Sequence, residues 1–303
     1  MEQAEIKGPE FFIVGAPKCG TTAMTDYLAQ HPEIGMCPRK ETQFFAVDLY
    51  ERLAVKRGQR PPDQAHFLKL FEGLQDRKTR GEASVWHLYS SAAPREIKAF
   101  EPNAKVIVML RNPIEMVPSL HSEFVYVGLE PVEDLEAALA LDDERERVGP
   151  PPGFPPSSYR SAIRYDEQIR RYLEQFGPER IHYVLYDDFR DDTLGAYRGV
   201  CEFLGVDPGF EPVVEIVNPN KRVRSRLMRR FVRRPPEVVR PLLHHLSTED
   251  QRRRIGAVLN RLNTSFTNRG DVPESVREEL RPEAERQVLA LEELGIDASA
   301  WLD

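Results

Sequence analysis

A lysine inside a glycine-bounded loop, with two hydroxyls behind it and an apolar run in front, is an arrangement that binds anions. The residues are Gly15-Ala16-Pro17-Lys18-Cys19-Gly20-Thr21-Thr22, preceded by Phe11-Phe12-Ile13-Val14. They read as a strand, a tight loop and a helix starting near Thr22. Loop N–H groups and a helix N-terminus together make a site for negative charge. The Gly15–Gly20 spacing fits the phosphate-loop pattern, but the ending does not. A nucleotide-hydrolysing loop carries lysine directly after the second glycine. Here Thr21 stands there, and the lysine lies inside the loop. A cation in the cradle followed by two hydroxyls suits a nucleotide whose transferred group hangs off its 5′ side.

A second set of residues could hold another phosphate. Val106-Ile107-Val108-Met109-Leu110 reads as a strand, and Arg111-Asn112-Pro113 opens a helix that carries Ser119, eight residues after the arginine. Arginine offers forked donors that match phosphate oxygens. The two segments resemble the 5′-phosphosulfate loop and the 3′-phosphate site of the sulfotransferases that use 3′-phosphoadenosine-5′-phosphosulfate (PAPS). The resemblance implies a P-loop-like, three-layer α/β fold with a central parallel sheet flanked by helices and a helical C-terminal part. It implies PAPS as cofactor, 3′-phosphoadenosine-5′-phosphate (PAP) as product, and no metal. Lys18, Cys19, Gly20, Thr21 and Thr22 then surround the 5′-phosphate, and Arg111 and Ser119 hold the 3′-phosphate. Lys18 becomes the stabiliser of the leaving group.

Lys40-Glu41-Thr42-Gln43-Phe44-Phe45 is similar to the Lys-Glu-x-x-Phe-Phe element of carbohydrate sulfotransferases that act on heparan-type chains. The resemblance implies Glu41 as general base and Lys40 as charge stabiliser. A carboxylate can take an acceptor proton when it is close and its pKa is raised by burial. The chain departs from that subfamily at Gln43, Ala46 and Ala83. His87 is a second base candidate, and His121 shares a helix with Ser119. Tyr186-Asp187-Asp188-Phe189 resembles the family's Tyr-Glu-Asp-Met segment, whose tyrosine contacts adenine. Lys221 and Arg222 stand where the family places a loop over the 3′-phosphate.

Positioning these residues requires strands at Phe11–Gly15, Arg80–Ala83, Lys105–Leu110 and Ile181–Leu185, alternating with helices. The helices expected are Thr22–Gln30, Ala92–Phe100, Pro113–Val127, Tyr159–Phe176 and Thr193–Leu204. That alternation reads as a parallel sheet with crossover helices. The acidic stretch Glu130–Glu146 reads as a solvated helix, followed by a proline-dense loop over 149–156. The reading is a single domain over 1–303, with an acidic and proline-rich insertion at 130–158 and a basic helical segment at 221–268.

Of the 303 residues, 41% are hydrophobic and 30% charged, which fits a packed core under a polar surface. Net charge is −7, which argues against a polyanion-binding protein as a whole. Yet Lys221–Arg254 holds twelve Lys/Arg against three Asp/Glu. Cys19, Cys37 and Cys201 have no metal-site spacing and no disulfide framework. No apolar run reaches transmembrane length, which sets the expectation of a cytoplasmic enzyme without membrane or nucleic-acid partners. The function expected is sulfuryl transfer from PAPS to a hydroxyl, or less readily an amine, of a small-molecule, carbohydrate or natural-product acceptor. A P-loop small-molecule kinase and a non-catalytic anion-binding protein using the basic segment stand as alternatives. Oligomeric state and acceptor identity are not legible.

Overall fold

The computed structural model describes residues 6–50, 63–214, 220–223, 264–267 and 272–302. The chain divides into two compact units, Met1–Glu215 with Val272–Asp303, and Ile216–Asp271.

The first unit is built on five parallel strands in the order β2-β3-β1-β4-β5. These are β1 (Phe11–Gly15), β2 (Ile34–Met36), β3 (Thr79–Ala83), β4 (Lys105–Leu110) and β5 (Ile181–Leu185). Every residue of β1 is buried, as are Val106–Leu110 of β4. Central strands of a parallel sheet are covered on both faces, which is why these two read as unbroken apolar runs. In register, Phe11 of β1 faces Gly81 of β3. A Cβ on Gly81 would lie 2.1 Å from the Phe11 ring, so only glycine admits that ring.

Helix α1 (Thr21–Leu28) follows β1, α2 (Gln64–Lys69) precedes β3, α3 (Ala93–Phe100) follows β3, and α4 (Pro113–Val127) follows β4. Pro113 takes the first position of α4, where a missing N–H costs nothing, and Asn112 caps the helix by accepting from the Ile114 N–H at 3.0 Å. The expected helix Tyr159–Phe176 is two helices, α7 (Tyr159–Ala162) and α8 (Tyr165–Phe176), separated at Ile163–Arg164. Helix α9 (Tyr186–Asp191) continues directly from β5, and α10 (Thr193–Leu204) packs with α1. Strand β2 was not expected. It is three residues long and too short to make a pattern.

The acidic stretch is not a solvated helix. It forms two short helices, α5 (Leu135–Leu139) and α6 (Asp142–Val148), and several of its charges are buried. Glu130 is 3% exposed, Asp142 1% and Arg145 5%. Arg145 reaches both Glu130 oxygens at 2.9 and 3.0 Å, and the Tyr159 hydroxyl donates to Glu130 at 2.9 Å. Asp142 accepts from the backbone N–H groups of Tyr159 and Arg160 at 3.0 and 2.9 Å, securing the start of α7. Phe154 of the proline loop is fully buried, its ring 4.5 Å from that of Phe124 on α4. The segment 130–158 is therefore pinned to α4 and α7.

The C-terminal helix Glu274–Glu292 packs on α4 and α8. Beyond it, the Trp301 carbonyl accepts from the Asn112 side chain at 2.9 Å. In the second unit the described residues are two antiparallel strands, Asn220–Val223 and Thr264–Thr267. The ends of the basic segment are thus strand and not helix, and residues 224–263 lie outside the described residues.

Candidate active site

All five strands deliver expected site residues at their carboxyl ends. That is the edge where parallel α/β sheets bind ligands, beside the strand where chain order reverses. Here β1 is that strand, with β3 on one side and β4 on the other.

The loop after β1 carries Lys18 in the left-handed region at φ 66°, and Gly20 at φ 84° is the residue before α1. A non-glycine residue at positive φ is held there by its surroundings, a condition common at functional sites. Gly20, the residue before α1, has no side chain to cap the helix's first N–H groups. Cys19 points inward. It is fully buried, its thiol donates to the Pro17 carbonyl at 3.4 Å, and burial pushes its pKa up to about 12. Only its backbone N–H can serve the loop.

Two further elements bring cations to this loop. Lys40, beyond β2, donates to the Thr22 hydroxyl at 2.5 Å and the Thr21 hydroxyl at 3.4 Å. Arg111, at the end of β4, donates from Nη1 to the Lys18 carbonyl at 3.3 Å. Its guanidinium lies over the Tyr186 ring, 4.2 Å from the centroid, and both Nε and Nη2 bond Glu115. Tyr186 therefore sits against Arg111 and close to Gly20, whose added Cβ would lie 3.3 Å from its ring. Ser119 is buried on α4, one helical repeat from Glu115 and one from Glu123. His121 is buried on the same helix and bonds the Val132 carbonyl at 3.0 Å.

Glu41 lies 3.5 Å from Lys40 Nζ and is itself at φ 58°. Its Oε2 accepts from the Val85 N–H at 3.0 Å and from Gln43 Nε2 at 2.7 Å. Burial raises its carboxyl above the ordinary carboxylate range, against the pull of the Lys40 ammonium. About a third of the side chain, 35%, still reaches solvent, so an acceptor can reach it.

His87 does not share that access. It is fully buried behind Phe45, and burial lowers its pKa to about 3. Its Nδ1 stands 3.5 Å from Oε2 of Glu82, which is equally buried. Neither atom has a hydrogen-bond partner among the described residues. The other Glu82 oxygen accepts from Thr42 Oγ1 at 2.7 Å and Ser84 Oγ at 2.5 Å, and Ser84 Oγ accepts from the Gln43 N–H at 3.0 Å. This buried cluster stitches the loop of Lys40 and Glu41 to the end of β3.

Lys221 and Arg222 lie on strand Asn220–Val223 of the second unit. Sequence reasoning missed Glu115 and Glu123. Glu115 was detectable as the i+4 partner of Arg111. Glu123, whose carboxylate lies 3.5 Å from Lys18 Nζ, belongs to no motif.

A family model described as Sulfotransferase domain matches residues 8–288. Human "Carbohydrate sulfotransferase 15" is 31% identical over 176 residues, covering 46% of this chain and 30% of that protein. The "Membrane-associated sulfotransferase kil1" of Dictyostelium discoideum is 32% identical over 114 residues, covering 35% of this chain and 21% of that protein. Each match spans less than a third of the relative's length. The crystal structure of a sulfotransferase from Alicyclobacillus acidocaldarius superposes with a TM-score of 0.73 at 27% identity, covering 98% of this chain and 100% of that one.

The expected cytoplasmic setting is overturned, since one of these relatives is named as membrane-associated. Among the described residues no helix is long and apolar enough to cross a membrane, and that fact does not fix a compartment. The family match runs through both strand–loop–helix units of the site, and the fold is shared along almost the whole chain: this protein belongs to the sulfotransferase domain family.

Proposed function

We propose that the protein moves a sulfuryl group from PAPS to a hydroxyl, less readily an amine, of a carbohydrate or small-molecule acceptor. The observation that carries this reading is the convergence of Lys18, Lys40 and Arg111 on one loop at the start of α1. Three cations, two threonine hydroxyls and a helix N-terminus are a donor set suited to a nucleotide with phosphates at both ends. PAPS fits that set: Lys18, Thr21 and Thr22 for the 5′ side, Arg111 and Ser119 for the 3′-phosphate, Tyr186 for the adenine. When bound, it supplies the activated sulfuryl group.

The acceptor oxygen forms a bond to sulfur as the bond from sulfur to the 5′-phosphate oxygen breaks. Glu41 takes the acceptor proton, a role its raised pKa and open side suit. Lys18 meets the charge that grows on the departing phosphate. Lys40 keeps the threonine hydroxyls of the loop oriented and the Glu41 carboxylate close. A carbohydrate acceptor is favoured by the Lys40–Phe45 element and by the name of the human relative.

The test is PAP release from PAPS, followed by coupled spectrophotometry, across a panel of oligosaccharides, phenols and amines. Acceptor-dependent PAP release by the native chain, lost in Glu41→Gln with PAP binding intact, is the expected result. PAP release that no acceptor accelerates overturns the transferase assignment of these residues.

A further inference from the structure

We propose that Glu123 is a displaceable counter-charge for Lys18, which sets how tightly the nucleotide's 5′ end is held and how readily product leaves. This rests on the reading of Lys18–Thr22 as the 5′-phosphate site. Helix α4 carries Glu115, Ser119 and Glu123 four residues apart, and residues so spaced lie on one face. The two glutamates bond two different cations of the site, Arg111 and Lys18.

The two pairs are built differently. Arg111 meets Glu115 through both Nε and Nη2, with its side chain 7% exposed and its face on Tyr186. Glu115 is 37% exposed, but the guanidinium is nearly dry, so opening this two-point pair would leave the Arg111 charge buried without its carboxylate. Glu115 therefore orients Arg111. Lys18 and Glu123 meet at one point, 3.5 Å apart, with side chains 32% and 41% exposed. A half-solvated, single-point pair is worth little and is readily exchanged. A doubly charged 5′-phosphate outcompetes one carboxylate for the same ammonium.

The carboxylate has a use. Lys18, Lys40, Arg111 and the start of α1 together would grip a product with two dianionic phosphates strongly. A negative charge beside Lys18 offsets part of that grip and takes the lysine back as product departs. Removing it should tighten binding and slow release without touching the 3′ end.

The experiment titrates PAP and adenosine 3′-monophosphate calorimetrically into the native chain, Glu123→Gln and Glu115→Gln, with PAP dissociation followed by stopped flow. Glu123→Gln should bind PAP about three- to tenfold tighter, the range expected from removing one partly exposed like charge beside an anion site, and release it correspondingly more slowly. Its affinity for adenosine 3′-monophosphate, which lacks the 5′ group, should equal that of the native chain. Glu115→Gln should instead weaken both ligands. Unchanged or weaker PAP binding by Glu123→Gln, or the same gain for both nucleotides, overturns the proposal. A folded native chain that binds neither nucleotide overturns the nucleotide reading itself, and this proposal with it.

Discussion

Arg111 Nη1 donates to the Lys18 carbonyl at 3.3 Å, so the end of β4 holds the loop that follows β1. The residue expected at the 3′-phosphate thereby supports the backbone of the residue expected at the 5′ side. Lys18 sits at φ 66°, a conformation that needs such support. Loss of Arg111 is therefore expected to disturb both ends of the nucleotide site, whereas a change of charge alone beside Lys18 acts on the 5′ end.

Lys18→Ala should lower the rate of sulfuryl transfer roughly 100- to 1,000-fold, the range seen when a charge-stabilising donor is removed from a transition state. Circular dichroism and the thermal midpoint should stay near native, because the Lys18 side chain is partly exposed. A native-like rate removes Lys18 from the chemistry.

Arg111→Ala should weaken PAP binding by about 1.5–3 kcal/mol, the loss of a charge-assisted contact. Arg111→Lys should not restore it, since lysine lacks the fork that meets Glu115 and lies over Tyr186. Calorimetry decides the point, and full rescue by lysine contradicts the assigned geometry.

Glu41 must be ionised to act as a base, and its pKa is raised by burial. The acidic limb of the pH–rate profile should therefore lie above the ordinary carboxylate range. Glu41→Gln should flatten that limb and cut turnover while leaving PAP affinity unchanged. A limb that survives in Glu41→Gln assigns the base elsewhere.

Glu82 holds its proton up to about 7, because it is wholly buried. The unfolded carboxyl ionises in the ordinary range, so through the window between the two pKa values the folded state binds more protons. Its contribution to stability is complete below that window and is lost as pH rises through it. Glu82→Gln keeps an acceptor for Thr42 and Ser84 and should remove this slope. Denaturant titrations at about pH 5 and about pH 8 measure it, and equal slopes in both proteins contradict a protonated Glu82.

Arg145→Ala should cost about 3–5 kcal/mol of stability, because it leaves Glu130 buried without its cation. Denaturant titration gives the value. A loss below 1 kcal/mol, on the order of an exposed pair, would show that this segment is solvated after all.

The parts of this protein legible in the sequence are those where one residue's type and its immediate neighbours decide the outcome. Phe11–Val14 and Val106–Leu110 announce strands because both faces of a central parallel strand are buried. Gly20 before Thr21 announces a loop opening a helix. What stayed hidden depends on distant partners. Nothing near Glu130 reveals that Arg145 and Tyr159 will enclose it. His87 reads as a base until the fold seals it behind Phe45. The break at Ile163–Arg164 carries neither proline nor glycine to mark it. Glu123 acquires meaning only once α4 is laid beside the Lys18 loop.

The central claim, a nucleotide site with a place for a 3′-phosphate, is tested most directly by calorimetric titration of PAP against ATP and ADP. The account predicts tight binding of PAP and little of ATP or ADP. Preference for ATP with magnesium, or no binding of any of the three, would contradict it.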